Sequence, residues 1–229
     1  MQYKKTISTS LFIFFIYTKI FSQGNLDTIP LYSVDDDYTR IMQSIFETDY
    51  FKNINMNTRV IKYGKEMNAL SINDYAITKV IYAKKFEKRF IAICETSSTF
   101  LNVLFLGDEK GNISEYPLGD IIMGCYQKRI DDYLLFFIKD YSRSQTRENF
   151  SGYFVLSIDM KTFDSKFITF IEWAESPIIN FSSPKKVVKD IFISFQESNG
   201  KFYIIEKSKE NCQEISKFEF YQGNFRKVK

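Results

Sequence analysis

The chain of 229 residues contains no histidine. Without imidazole, Ser-His-Asp and Cys-His nucleophilic sites are excluded, as are His-ligated zinc, non-haem iron and imidazole general-base catalysis. Cysteine is scarce as well, confined to Cys94, Cys125 and Cys212. Three thiols cannot all pair within one chain, and their spacing matches neither a metal motif nor a disulfide framework. Cys94 in FIAICET and Cys125 in IIMGCYQ stand inside apolar runs, which reads as buried free thiols. The 9 glycines form neither a P-loop nor G-x-G-x-x-G, so no phosphate cradle is expected. These absences predict no cofactor and no metal site.

A bilayer-spanning run is not found in the apolar N-terminal stretch either. Lys4 and Lys5 precede the apolar residues 11–17, and Lys19 interrupts before Ile20, Phe21 and Ser22. Only thirteen residues separate Lys5 from Lys19, whereas a spanning helix needs roughly 20 apolar residues and does not readily seat a lysine. A positive start, a short apolar core and a small closing residue are the layout of a secretory signal peptide. Residues 1–22 therefore read as an address rather than an anchor, with cleavage after Ser22 leaving Gln23 first. No cysteine follows the run, so a lipoprotein anchor is not indicated. The expected location is secreted or periplasmic, with no stable membrane anchor.

Removing Lys4, Lys5 and Lys19 lowers the 31 basic residues to 28, equal to the 28 acidic ones. A formally neutral mature chain gives no support for nucleic-acid binding, which works by counterion release from a basic face. Residues 23–229 are long enough for a single domain with a real core. The chain is rich in Phe (24) and Tyr (15). Ile, Asn and Lys are abundant alongside them, as A/T-rich coding produces, so the aromatic count alone does not indicate a ligand surface.

Within residues 23–74, an irregular or helical segment is expected. Ile41, Met42, Ile45 and Phe46 share one helical face, and Ser33 with Asp35, Asp36 and Asp37 precede them as caps. The aspartates lack the glycine, alternate ligands and distal glutamate of an EF-hand loop. From Tyr75 to the C-terminus the period becomes two. Short runs such as RFIAICE, DYLLFFIKD, GYFVLSID and KFYIIEKS are rich in β-branched and aromatic residues. DEKGN, DMKT, ESNG and QGN supply turns between them. The expectation for residues 75–229 is an all-β antiparallel meander, propeller-like, with a β-barrel or β-sandwich as the alternative. Three units of roughly 45–55 residues are the size of propeller blades, and no blade signature accompanies them.

Carboxylate chemistry is what remains for catalysis. Glu172 and Glu175 flank the single tryptophan, Trp173, in IEWAESP, and a glycosidase needs two acids facing one another across a sugar. Asp131 and Asp132 read as a turn before YLLFFI. The polar loop KDYSRSQTRENFSG joins two apolar strands, and long loops on a rigid scaffold often carry binding. There Arg143 and Arg147 are suited to hold a carboxylate, sulfate or phosphate, with Tyr141 beside them. The sequence thus points to an exported, non-enzymatic binding or interaction protein. Its ligand would be a glycan or another protein, contacted through Tyr141, Arg143, Arg147 and Trp173. The other classes are a polysaccharide hydrolase using Glu172 and Glu175, and an exported inhibitor or immunity-like protein. Oligomeric state leaves no signal.

Overall fold

A strand buried on both faces reads as an unbroken apolar run rather than an alternation, and YLLFFI at residues 133–138 is such a run. The computed structural model describes residues 26–31, 54–62, 65–73, 75–86, 89–97, 102–108, 110, 112–142, 149–175 and 187–228. Among these residues the chain is all-β and holds no helix. The strands are β1 (Asp27–Ile29), β2 (Ile54–Lys62), β3 (Lys65–Ile72), β4 (Tyr75–Phe86), β5 (Arg89–Thr96), β6 (Asn102–Gly107), β7 (Ile113–Pro117) and β8 (Ile121–Ile130). They continue as β9 (Tyr133–Ser142), β10 (Asn149–Asp159), β11 (Ser165–Glu175), β12 (Val187–Ser198), β13 (Lys201–Ser208), β14 (Glu214–Tyr221) and β15 (Asn224–Val228).

All recorded pairings are antiparallel. One six-stranded sheet runs β2 to β7 in chain order, and one nine-stranded sheet runs β1-β8-β9-β10-β11-β12-β13-β14-β15. The meander predicted from the period-two pattern is therefore present. Its division into propeller blades is not: the strands run on into two wide sheets, the larger curled into a half-barrel. Strand β12 is where that curl is made. Its first residues, Val187 to Asp190, pair with β11, while Ile191 to Ser198 pair with β13. A strand that changes partner partway along its length is the usual way a sheet turns a corner.

The curl explains the double burial of β9. Leu134, Phe136 and Ile138 point to one side, where they meet Ile81, Tyr82, Ile91, Ile93, Leu104 and Leu106 of the six-stranded sheet. Leu135 and Phe137 point to the other, where they meet Ile193, Phe195, Phe202, Ile204 and Phe220 of the curled part. Phe137 is edge-on to Phe195 at 5.0 Å, and Tyr153 to the same ring at 5.1 Å. Edge-to-face pairs add about 0.5–1.5 kcal/mol each beyond their buried area. Strands β5 and β6 are likewise apolar on both faces, with Phe90, Ala92, Cys94, Val103 and Phe105 forming a further cluster on the far face of the small sheet.

The turns follow from their residues. Asn199 and Gly200 both have positive φ (52° and 70°), the requirement of the primed two-residue hairpin turn. Asp131 (φ 51°) and Asp132 make the turn between β8 and β9. Within residues 23–74, expected to be irregular or helical, the described residues form β1, β2 and β3, so strand structure is present before the Tyr75 at which the sequence pattern becomes regular. The polar side chains of INMNTRVIK and KEMNALSI hide that alternation. The leader at residues 1–22 and the expected helix following Ser33 lie outside the described residues.

Candidate functional site

The central strands carry a row of facing residues across four strands. Ile121 of β8 pairs with Tyr141 of β9, Tyr141 with Ser151 of β10, and Ser151 with Trp173 of β11. Neighbouring strands lie about 4.8 Å apart, so Tyr141 and Trp173 stand two strands apart with the small Ser151 between them. Their rings lean over that serine. The centroids are 6.3 Å apart and the planes differ by 24°.

Two bulges shape the ends of the row. The register of β8 on β9 slips between Ile122 and Gly124, and that of β10 on β11 slips at Ser151/Gly152, opposite Glu172. A bulge places an extra residue against one partner and bends its strand. The extra residues here are Met123 and Glu172. Together with Ile121, Tyr141, Ser151, Trp173 and Lys209 they line an open cleft of about 630 Å³. Ile121 and Met123 are among the most exposed large apolar side chains described, at 52% and 60%.

The charged groups of the cleft are already paired. Glu172 accepts a hydrogen bond from Lys139 Nζ at 2.6 Å, and its other oxygen accepts the backbone N–H of Ile193 at 3.2 Å. Lys139 also lies 4.8 Å over the ring of Tyr153. Lys209 is ion-paired with Asp190, which pairs with Trp173 across the β11–β12 register. Glu175 is placed elsewhere, opposite Asn149, whose amide donates to it at 3.5 Å. The structure therefore brings Tyr141, Trp173 and Glu172 together and leaves Glu175 out of the cleft. Arg143 and Arg147 lie outside the described residues. Among the described residues, no three His, Cys, Asp or Glu side chains converge where a metal ion would be held.

Asp140, next to Tyr141 in the chain, points to the opposite face of the sheet and is fully buried. Its carboxylate faces the backbone N–H groups of Tyr141, Gly119 and Ile121, yet neither oxygen closes a hydrogen bond of full geometry among the described residues. Gly119 is required at this contact, because a Cβ there would lie 1.8 Å from Asp140 Oδ2. Asn102 holds the same segment by donating to the carbonyls of Gly119 and Asp120 at 2.8 and 3.0 Å. Burial favours the neutral acid. Despite the facing amides, burial and the nearby Asp120 charge push Asp140 up to about 7.

The sequence pointed to Tyr141, Trp173 and Glu172, but not to Ile121, Met123, Ser151, Lys209 or Asp140. Bulges leave no trace in a period-two pattern, and Lys209 arrives from a turn near the other end of the curled sheet. Compared with known proteins, the chain matches no family model, and neither a curated protein nor a solved structure resembles it significantly.

Proposed function

We propose that this chain is an exported, non-enzymatic binding protein whose Tyr141–Trp173 cleft receives a ring of a neutral glycan. The observation that carries this reading is the pair of near-parallel rings over Ser151. Aromatic faces match the apolar C–H face of a sugar, while a serine hydroxyl and the outward edges of ion pairs match its hydroxyl groups. Because Glu172 is matched by Lys139 and Asp190 by Lys209, the cleft offers no unbalanced charge to an ionic ligand. The same pairing argues against hydrolysis by Glu172, since a glycosidase acid must be free to give its proton to the leaving oxygen. The apolar leader motivates the export part of the reading.

A protein ligand is the second reading, favoured by the exposed Ile121 and Met123 beside the rings. Isolated apolar residues on a surface need no partner, but grouped around an aromatic cleft they suit an inserted apolar side chain.

The deciding experiment is thermal unfolding of the protein against neutral cello-, xylo-, malto- and chito-oligosaccharides, repeated with Trp173→Ala. A ligand at 100 times its dissociation constant stabilises the fold by about 2.7 kcal/mol, or roughly 5–10 °C for a domain of this size. A shift in the wild type that Trp173→Ala removes is the expected result. A flat panel from a cooperatively folded protein would overturn the glycan assignment in favour of the protein ligand.

A further inference from the structure

Ile121 and Tyr141 face two ways at once. Their side chains line the cleft on one side of the sheet, and their backbone N–H groups face the buried carboxylate of Asp140 on the other. Ile122, paired directly with Asp140, is followed by the bulge that presents Met123 to the cleft. One carboxyl group thus sits against the backbone that sets half of the cleft wall.

We propose that Asp140 is a proton-controlled positioning residue for the cleft: while its carboxyl is protonated the described arrangement of Ile121, Tyr141 and Trp173 holds, and its ionisation displaces it. The inference takes the cleft as the binding site, as argued above, and adds its regulation. A buried carboxylate without full hydrogen bonds is costly, and the cost is relieved either by drawing the facing amides into charge-assisted hydrogen bonds or by admitting water. Both responses move residues 119–122 and Tyr141. In the arrangement seen here neither oxygen closes a full hydrogen bond, so ionisation would leave the charge unrelieved unless the facing amides or water moved in.

The surroundings of Asp140 reinforce this polarity. From the β7–β8 connection comes the Asp120 carboxylate, which opposes ionisation. From the six-stranded sheet comes Asn102, an uncharged amide, with Glu95 beside it in the β5–β6 register and accepting the Thr78 hydroxyl. From β8 comes Cys125, whose thiol burial pushes up to about 12 and keeps neutral. From β10, Gly152 lies opposite and brings no side chain. Lys139 and Glu172 lie on the other face of the sheet and are held by each other.

Trp173 is the only tryptophan of the chain among 15 tyrosines, so emission excited selectively from tryptophan reads this cleft. The test follows Trp173 emission of the protein from pH 5 to pH 8, with far-UV circular dichroism monitoring the fold, in the wild type, Asp140→Asn and Cys212→Ser. The expected result is one sigmoidal change, with its midpoint near the value of about 7 to which burial pushes Asp140. It should be absent in Asp140→Asn and kept in Cys212→Ser. No transition in the folded wild type, or a transition that survives Asp140→Asn, overturns the proposal. If Asp140→Asn does not fold, the carboxyl carbon shift of Asp140 in labelled wild type decides, because it must titrate with the midpoint of the emission change; separate midpoints overturn the linkage. Since no glycan is present, this test and the oligosaccharide panel fail independently of one another.

Discussion

Tyr141 and Trp173 stack at 6.3 Å although their strands, β9 and β11, are not neighbours. The contact exists because the residue between them is Ser151, too short to keep the rings apart. This geometry predicts that Ser151→Phe fills the gap and blocks the cleft while leaving the fold in place, since the site opens to solvent. Ligand affinity should fall at least tenfold, about 1.4 kcal/mol, with a smaller change in unfolding free energy. Titration calorimetry alongside urea unfolding would check it, and retained affinity would remove the rings from the binding site.

The half-buried Lys139–Glu172 pair predicts a second asymmetry. With side chains 23% and 12% exposed, removing only one partner leaves a poorly solvated charge behind, whereas replacing both leaves none. Lys139→Met should cost about 1–3 kcal/mol, and adding Glu172→Gln should recover part of that loss. A double-mutant cycle by urea denaturation measures the coupling. Strictly additive losses would show that the pair contributes nothing beyond its separate contacts.

How much of this was legible beforehand depended on whether the information was local. The alternation, the Asn199–Gly200 turn, the Asp131–Asp132 turn and the buried thiols of Cys94 and Cys125 all follow from residues within a few positions of one another. Tyr141 and Trp173 were legible as candidates, but not as a pair, because register joins them only through β10. Glu172 reads like a partner for Glu175 in sequence, and Lys139 takes it in space. The continuous apolar run at β9 announced burial on both faces without saying that one sheet, curling at β12, supplies the second wall. Asp140 gave no signal at all, since an acid near a strand end ordinarily faces water.

Thiol reactivity offers a direct check of the packing. Cys94 and Cys125 are buried, and Cys212 is exposed in the turn after β13. Burial pushes both interior thiols upward, which suppresses the reactive thiolate. Under native conditions a thiol reagent should modify one cysteine quickly, and all three only after denaturation. Rapid modification of Cys94 or Cys125 in the folded protein, located by mass spectrometry, would contradict its burial in β5 or in β8 respectively.

Asp140 also predicts how stability varies with pH. Its native value, about 7, lies above the 3.8 of an ordinary aspartate, so between these values the native state holds the proton more tightly than the unfolded chain does. The unfolding free energy contributed by this group is therefore greatest below the lower value. It falls as pH rises through the interval and levels off above the upper one. Asp140→Asn keeps a neutral side chain of the same shape and should remove that part of the slope, making the variant less sensitive than the wild type between pH 4 and pH 8. Gly119→Ala provides the steric counterpart, because its Cβ would meet Asp140 Oδ2 at 1.8 Å. Overpacking of this kind typically costs about 1–3 kcal/mol. Combining it with Asp140→Ala should recover part of the loss by clearing the space. Urea unfolding at several pH values measures both effects. A wild-type slope identical to that of Asp140→Asn would mean that the carboxyl is hydrated in solution and that the contact with Gly119 is looser than described.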